Sequence, residues 1–490
     1  MEAFWLNFMR IGGRIMSAFG LWEALLRMVA GPRITAVAFL TLKAAFRYRV
    51  VLAVSALLVA TVVGLPLIIK DDGTARGMTQ IVLTYTLGTI TALLGFVTLW
   101  LGCGTLAKDI EECQMQVVAV KPIARWEIWL GKWLGILLLN AGLLGYSGLA
   151  VYLLIQYRSH KLPELQQTIL RNEVLVGRKS AKEPVEDVEP EVERIFAQRI
   201  KDEKIARMDH DFVRKEIREM VRAAQQVVQS NHLRRWQIQL GDSPEKLRDR
   251  PFSIRIKFHA ARVTSQTIYN TRWMIGPPET KDYGPPIDLR LAVDTFHEIP
   301  IPPNKFDDQG VLTVEFWNYN PDALLFPLED GMEILYRESG FGLNFVRGLV
   351  IVFLWLALLA ALGLASASYL SFPVAAFTSL AILLIGLSSG TLSTVVKEGT
   401  IAAVDHETGL GASSIDFIMV PIFKALLNII NLVQGFSPID YLSSGRSVTW
   451  GLLGLAIAQI GLIMTGTFIL AGIAFFYRRE LATAQSNTVT

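Results

Sequence analysis

Residues 343–366 read LNFVRGLVIVFLWLALLAALGLAS, with Arg347 the one charge in the run. A helix of about 20 apolar residues covers roughly 30 Å of hydrocarbon, so this stretch is long enough to cross a bilayer. A lone strand in lipid would leave its backbone polar groups without partners, so the run reads as a helix. On either side lie five more runs of the same kind: Val50–Ile69, Gln80–Leu106, Trp133–Tyr157, Pro373–Val396 and Trp450–Phe476. A seventh stretch, 415–433, carries Asp416, Pro421 and Lys424 and reads as an interfacial or partly re-entrant helix. Arg347, near the start of its run, is expected to snorkel to the interface.

The composition agrees. Of the 490 residues, 52% are hydrophobic and 19% charged, and the mean hydropathy is +0.39. The charges are concentrated, with 58 of 91 falling within 158–340. This pattern excludes a soluble enzyme, a disordered tail and a fibrous protein. It implies an α-helical polytopic membrane protein of about six transmembrane helices with a polar domain inserted between two membrane blocks. A net charge of +3 on so long a chain gives no case for a nucleic-acid partner.

Basic residues in the short loops set the orientation. With six spans, one side receives residues 1–49, the 107–132 loop, the 369–372 turn and the tail from Tyr477, carrying 13 Lys and Arg against five on the other side. Both termini are therefore expected to be cytoplasmic and residues 158–341 extracytoplasmic. The N-terminal stretch places Phe4, Trp5, Phe8 and Met9 near Arg10 and Arg14, and Phe39, Leu42 and Phe46 near Lys43, Arg47 and Arg49. Such a mixture suits helices lying in the headgroup layer rather than a cleaved signal. The expected organisation is 1–49 interfacial helices, 50–157 a first block of three spans, 158–341 the outer domain, 342–481 a second block of three spans, and 482–490 a cytoplasmic tail.

Within the insert, residues 160–240 are expected to be helical. Between Val192 and Val228, apolar residues recur mostly every three to five positions. Residues 182–193, acidic and holding Pro184 and Pro190, read as a linker. From 251 to 338 the period changes to two: Ile254, Ile256 and Phe258; Ile287, Leu289, Leu291 and Val293; Leu312, Val314 and Phe316. Turn signals between these runs suggest a small β-sandwich, making the insert α+β.

Catalytic signatures are missing. The chain has no G-x-x-x-x-G-K-[ST], no H-E-x-x-H and no G-x-S-x-G. Six scattered histidines and two cysteines, Cys103 and Cys113, make no metal pattern. The spans carry hydroxyls such as Thr98 and Ser389 but almost no charge, which disfavours a proton path. The chain is therefore expected to be no enzyme and to hold no cofactor of its own.

The 107–132 loop carries the most information. Glu111 and Glu112 precede the apolar 117–120 stretch. Lys121 and Pro122 mark a turn, and Arg125 and then Lys132 lead back into the membrane. A rigid hairpin of this kind acts as a lever on both attached spans. Charge can orient a docking partner while apolar residues fill a groove, and Arg125 and Lys132 lie where lipid phosphates would be met.

This loop resembles the region after the second span in ABC-2 type (type V fold) ABC transporter permeases. There an acidic residue, an apolar stretch, a Lys-Pro turn, an Arg and a Gly-Lys follow one another, matched by Glu111, Lys121, Pro122, Arg125, Gly131 and Lys132. The amphipathic helix before the first span and the terminal Phe476-Tyr477-Arg478-Arg479-Glu480-Leu481 are also similar to that family. The resemblance covers roughly 34–157 and 342–481; the large insert departs from the simplest members. It implies a permease subunit of an ATP-driven exporter in a bacterial inner (plasma) membrane. The partners it implies are a separate ABC ATP-binding subunit, which binds the ATP, and a second permease subunit, identical or different, besides membrane lipids. Glu111, Glu112, Lys121, Pro122, Arg125 and Lys132 would then couple to the ATPase. Two alternatives are a mechanotransmission or assembly protein that moves its outer domain without transport, and a membrane-anchored binding or sensor module.

Overall fold

A computed structural model of the protein describes residues 27, 30–47, 50–69, 74–112, 114–115, 122–184, 187–201, 210–241, 252–262, 267–277, 285–303, 305–328, 330–398 and 415–479. The chain divides into two compact units. The first comprises 1–175, 341–444 and 448–490; the second comprises 176–340 and 445–447.

The first unit is helical. Its elements are α1 (Pro32–Arg47), α2 (Val50–Ile68), α3 (Gly77–Glu111), α4 (Arg125–Ser159) and a short α5 (Glu164–Ile169) before the insert. After it come α8 (Phe341–Ala367), α9 (Phe372–Leu387), α10 (Ser389–Glu398), α11 (Asp416–Gln434), α12 (Pro438–Ser443) and α13 (Trp450–Arg478). Among the described residues five helices are long and apolar enough to cross a membrane: α3, α4, α8, α11 over Asp416–Val433, and α13. The number rises to seven if each of two bent pairs, α1 with α2 and α9 with α10, counts as one span. A mostly helical unit with these apolar helices and an added β-rich unit is compatible with a membrane protein.

Three details differ from the sequence expectation. The 373–396 run is not one straight helix but α9 and α10 set at 59°. The 415–433 stretch is a continuous helix despite Pro421 and so not the partly re-entrant alternative, and 6% of its apolar window is buried. Arg347 does not snorkel: it is 5% exposed, donates from Nη1 to the Val448 carbonyl at 3.0 Å and lies 4.1 Å from the Trp450 ring centroid. A nearby carbonyl and an aromatic face give the guanidinium an internal environment that replaces the interface.

Glycine sets the helix packing. At Gly102 and Gly363, α3 and α8 cross so closely that a Cβ on Gly363 would lie 2.8 Å from the Leu99 carbonyl oxygen. A Cβ on Gly135 would lie 2.7 Å from the Ala38 oxygen, so α1 runs against α4. Small residues permit such approach where lipid offers no hydrophobic drive between helices. The buried stripe of α1, including Ile34, Ala38 and Leu42, is thus covered by protein rather than by headgroups alone.

The second unit is built mainly of strands. Two antiparallel four-stranded sheets form it, together with a small three-stranded one of two-residue strands in the order β2 (Val227–Val228), β10 (Leu324–Leu325), β5 (His259–Ala260). The first has the order β1 (Val176–Ala181), β11 (Met332–Gly340), β4 (Phe252–Ile256), β8 (His297–Ile301). The second has the order β3 (Leu233–Gln239), β9 (Val311–Trp317), β6 (Ile268–Ile275), β7 (Ile287–Ala292). Alternate residues of both sheets, among them Ile254, Ile334, Trp236 and Phe316, share one core. Period-two alternation sends one side of each strand inward. β7 lies at an edge and buries only Leu291 of its apolar set.

The helical expectation for 160–240 needs correction, because β1, β2 (Val227–Val228) and β3 lie within it. β1 and β3 pair with distant strands, β11 and β9; β1 carries little local period, whereas in β3 the alternation of Trp236 and Ile238 with Gln237 and Gln239 marks a strand that the helical expectation misses. The 182–193 linker is also shorter than expected, because Pro190 lies in the first turn of α6 (Glu189–Arg199), where its missing N–H costs nothing. Val192 and Phe196 of α6 pack on Val213 and Ile217 of α7 (His210–Gln226). The chain then returns to this unit at 445–447. There Arg178 N donates to the Gly445 carbonyl at 2.9 Å and Ser447 N to the Arg178 carbonyl at 2.7 Å, extending the first sheet beside β1.

Candidate coupling site at the helix ends

The turn between α3 and α4 brings most of the expected site residues to one end of the helical unit. A helix leaves its last carbonyls and first amides without intrahelical partners, and here charged side chains from neighbouring helices supply them. Arg125, the first residue of α4, donates from Nη1 to the carbonyls of Phe476 (3.0 Å), Tyr477 (2.9 Å) and Arg479 (2.9 Å) at the end of α13. Arg479 in turn donates to the carbonyls of Ala367 (2.9 Å) and Leu370 (3.2 Å) just past α8. Cations at helix C-termini also meet the negative end of the macrodipole.

Glu111, the last residue of α3, accepts the Phe372 amide of α9 at 2.8 Å, a carboxylate at a helix N-terminus. Lys108 lies over the Phe372 ring at 4.8 Å. Lys132 is buried inside α4. Its ammonium donates to the Thr105 carbonyl at 2.8 Å and pairs with Asp109 at 2.5 Å, both on α3. Trp129, fully buried, donates to Ser368 Oγ at 3.0 Å and fills the space left by Gly472, where a Cβ would meet its ring at 2.7 Å. The Glu127 carboxylate accepts the Ala124 amide at 2.7 Å and closes the first turn of α4.

The other expected residues differ. Glu112 is exposed and accepts a hydrogen bond from Gln114 at 2.6 Å. Pro122 is exposed at the turn. Lys121 and the 117–120 apolar stretch lie outside the described residues. The structure therefore brings together Glu111, Arg125 and Lys132, each with an intramolecular partner, and leaves Glu112 and Pro122 on the surface. Sequence reasoning gave no role to Asp109, Trp129 or Ser368, and it quoted Arg479 only as part of a terminal motif. The one available signal was a pair of arginines directly after an apolar run, a common mark of a helix C-terminus.

Directional bonds thus tie the α3–α4 hairpin to α9 and to the end of α13, and the residue after α13 to the end of α8. Among the described residues no group of three or more His, Cys, Asp or Glu side chains forms a metal site. Comparison of the chain with protein-family models, curated proteins and solved structures gave no significant match.

Proposed function

We propose that the chain is the membrane-spanning permease subunit of an ATP-driven ABC transporter of the ABC-2 type, working as an exporter with a separate ATP-binding subunit and a second permease subunit. The observation that supports this reading is the wiring of the α3–α4 hairpin, held together by Lys132, through Glu111 to α9, through Arg125 to the end of α13, and from there through Arg479 to α8. In this reading the exposed surface around Glu112 and Pro122 receives the stroke, and the buried charges distribute it. The chain itself hydrolyses no ATP. Six spans cross the inner membrane, α11 lies in the interface, both termini are cytoplasmic and residues 158–341 lie outside.

One observation favours a second reading, mechanotransmission without passage of a substrate. The segment between α12 and α13 contributes Arg446 to the β-rich unit, where it pairs with buried Glu333 at 2.5 Å. Helix movement in the membrane could then be used on the β-rich unit itself.

The test has three arms. Tagged chain is purified from its native membrane and the co-purifying proteins are identified; a nucleotide-binding ATPase is expected, and its absence under conditions that retain membrane complexes refutes the proposal. Single cysteines at Pro122 and His232, in a cysteine-free background, are probed from outside intact cells; labelling of His232→Cys but not of Pro122→Cys is expected, and the reverse pattern overturns the orientation. Reconstituted complex is then assayed for ATPase stimulation by candidate substrates; stimulation separates transport from mechanotransmission.

A further inference from the structure

The β-rich unit holds a cavity of about 210 Å³ whose walls are chemically divided. Its apolar side is formed by Trp236, Phe326 and Met332, core residues exposed by 2%, 1% and 7%, and by Pro327 and Leu328. Because these side chains belong to the packed core, that wall is rigid. Its polar side is formed by Lys182 and Glu183 after β1, Gln225 at the end of α7, and Arg234 and Arg235 of β3.

Arg234 distinguishes this cavity from a surface dimple. Its side chain is 18% exposed, stacked 4.8 Å from the Trp236 ring centroid, and 3.9 Å from its nearest carboxylate, Glu183. Arg234 Nη1 is buried and has no hydrogen-bond partner among the described residues. An unbonded buried donor on a cation is costly, and an anion in the cavity removes that cost. Burial pushes the guanidinium down from its usual range, with Glu183 opposing only in part. Arg235 is different: its Nε donates to Glu315 at 2.6 Å, which neutralises it.

The charges then select the ligand. Arg234 is the lining cation with a buried donor left over, Arg235 is bonded to Glu315, and Glu183 places a carboxylate 3.9 Å from Arg234, so the cavity favours a singly charged anion. We infer that this cavity binds a small organic monocarboxylate, its carboxylate on Arg234 and a single ring or branched aliphatic body against Trp236, Phe326 and Met332. The volume sets the size, because a cavity of about 150 Å³ already accommodates benzene. A dianion is disfavoured by Glu183, and a neutral isostere leaves Arg234 unpaired. This site is independent of the permease reading.

The experiment uses full-length chain in detergent and isothermal titration with benzoate, benzamide and phenyl phosphate. Benzoate is expected to bind at millimolar concentration or below, benzamide not at all, and phenyl phosphate more weakly than benzoate. Arg234→Gln is expected to weaken benzoate binding by at least about thirtyfold, the loss typical of truncating a desolvated charge partner. Arg272→Gln, in an exposed pair with Asp288, leaves binding unchanged. Leu328→Trp fills the cavity and is expected to abolish binding without removing a charge, and it decides the matter if Arg234→Gln does not fold. Equal binding of benzoate and benzamide, tighter binding of phenyl phosphate, unchanged binding in Leu328→Trp, or no benzoate binding at millimolar concentration overturns the inference.

Discussion

Replacing Arg125 with alanine separates two roles that a charge in the hairpin can have. If Arg125 only met a partner, its loss would leave the isolated chain as stable as before. In the structure its Nη1 serves three carbonyls at the end of α13, at 2.9–3.0 Å. One such nitrogen has two hydrogens, so two of the three bonds can be well formed at once. A hydrogen bond to a charged group contributes about 1.5–3 kcal/mol when sheltered. Arg125 is half-buried, and solvent screening lowers this, so the expected loss is about 2 kcal/mol for the pair. Glu112→Ala, by comparison, removes one exposed bond to Gln114 and should cost about 0.5 kcal/mol or less.

Cys103 offers the readout, because it is a fully buried free thiol on α3. In a Cys113→Ala background, a thiol-reactive dye reports the temperature at which the helical unit opens. Arg125→Ala should lower that temperature by several degrees, Arg125→Lys by less, and Glu112→Ala hardly at all. Identical melting of Arg125→Ala and Glu112→Ala would show that the caps seen here do not hold the bundle. The same result would leave partner docking as the better account of Arg125. A low melting temperature together with retained ATPase binding would assign the residue to force transmission rather than recruitment.

Further outcomes follow from other parts of the molecule. Gly363→Ala places a Cβ 2.8 Å from the Leu99 oxygen and should destabilise by about 1–3 kcal/mol, whereas Gly145→Ala, with nothing within 4 Å, should be neutral or stabilising in the same dye assay. Glu333 is 1% exposed and meets Arg446 at 2.5 Å, Ser180 at 2.7 Å and Arg255 at 3.5 Å. Glu333→Ala should therefore cost about 3–5 kcal/mol by removing the buried carboxylate that the two arginines share, and adding Arg446→Ala should cost less than the sum of the single changes in a denaturation cycle. Bonds from Arg218 at 2.6 and 3.0 Å hold the Glu189 carboxyl below its usual range. Because the folded value is the lower one, this contribution is present above about pH 4 and is lost as pH falls through the depressed value. Limited proteolysis of the α6–α7 hairpin should accordingly rise below about pH 4 in wild type more than in Glu189→Gln, and equal pH responses would refute the clamp.

Hydrophobic length and period were legible from the chain alone. The run at 343–366 needs no partner to announce a helix, since about 20 apolar residues in sequence have few other uses. The alternation at Ile254, Ile256 and Phe258 likewise marks a strand with one buried face, and all three are indeed in the core. The concentration of charge in 158–340 separated the insert from the helical blocks. These signals survive because they are local: each is written within one element.

What Arg125, Glu111 and Lys132 do was not legible. Sequence shows that a loop residue is charged, but not whether its partner is water, another chain or a carbonyl more than 300 residues away, as Phe476 is from Arg125. Only tertiary structure decided that these charges close helix ends and that Arg347 is buried against Trp450. It also decided that 445–447 belongs to the β-rich unit, and that Arg234 sits half-sheltered beside Trp236 over an apolar wall. The physical reason is the same in each case. Hydrophobic periodicity is a property of one segment, whereas a buried charge is stable only through the partners that packing brings to it.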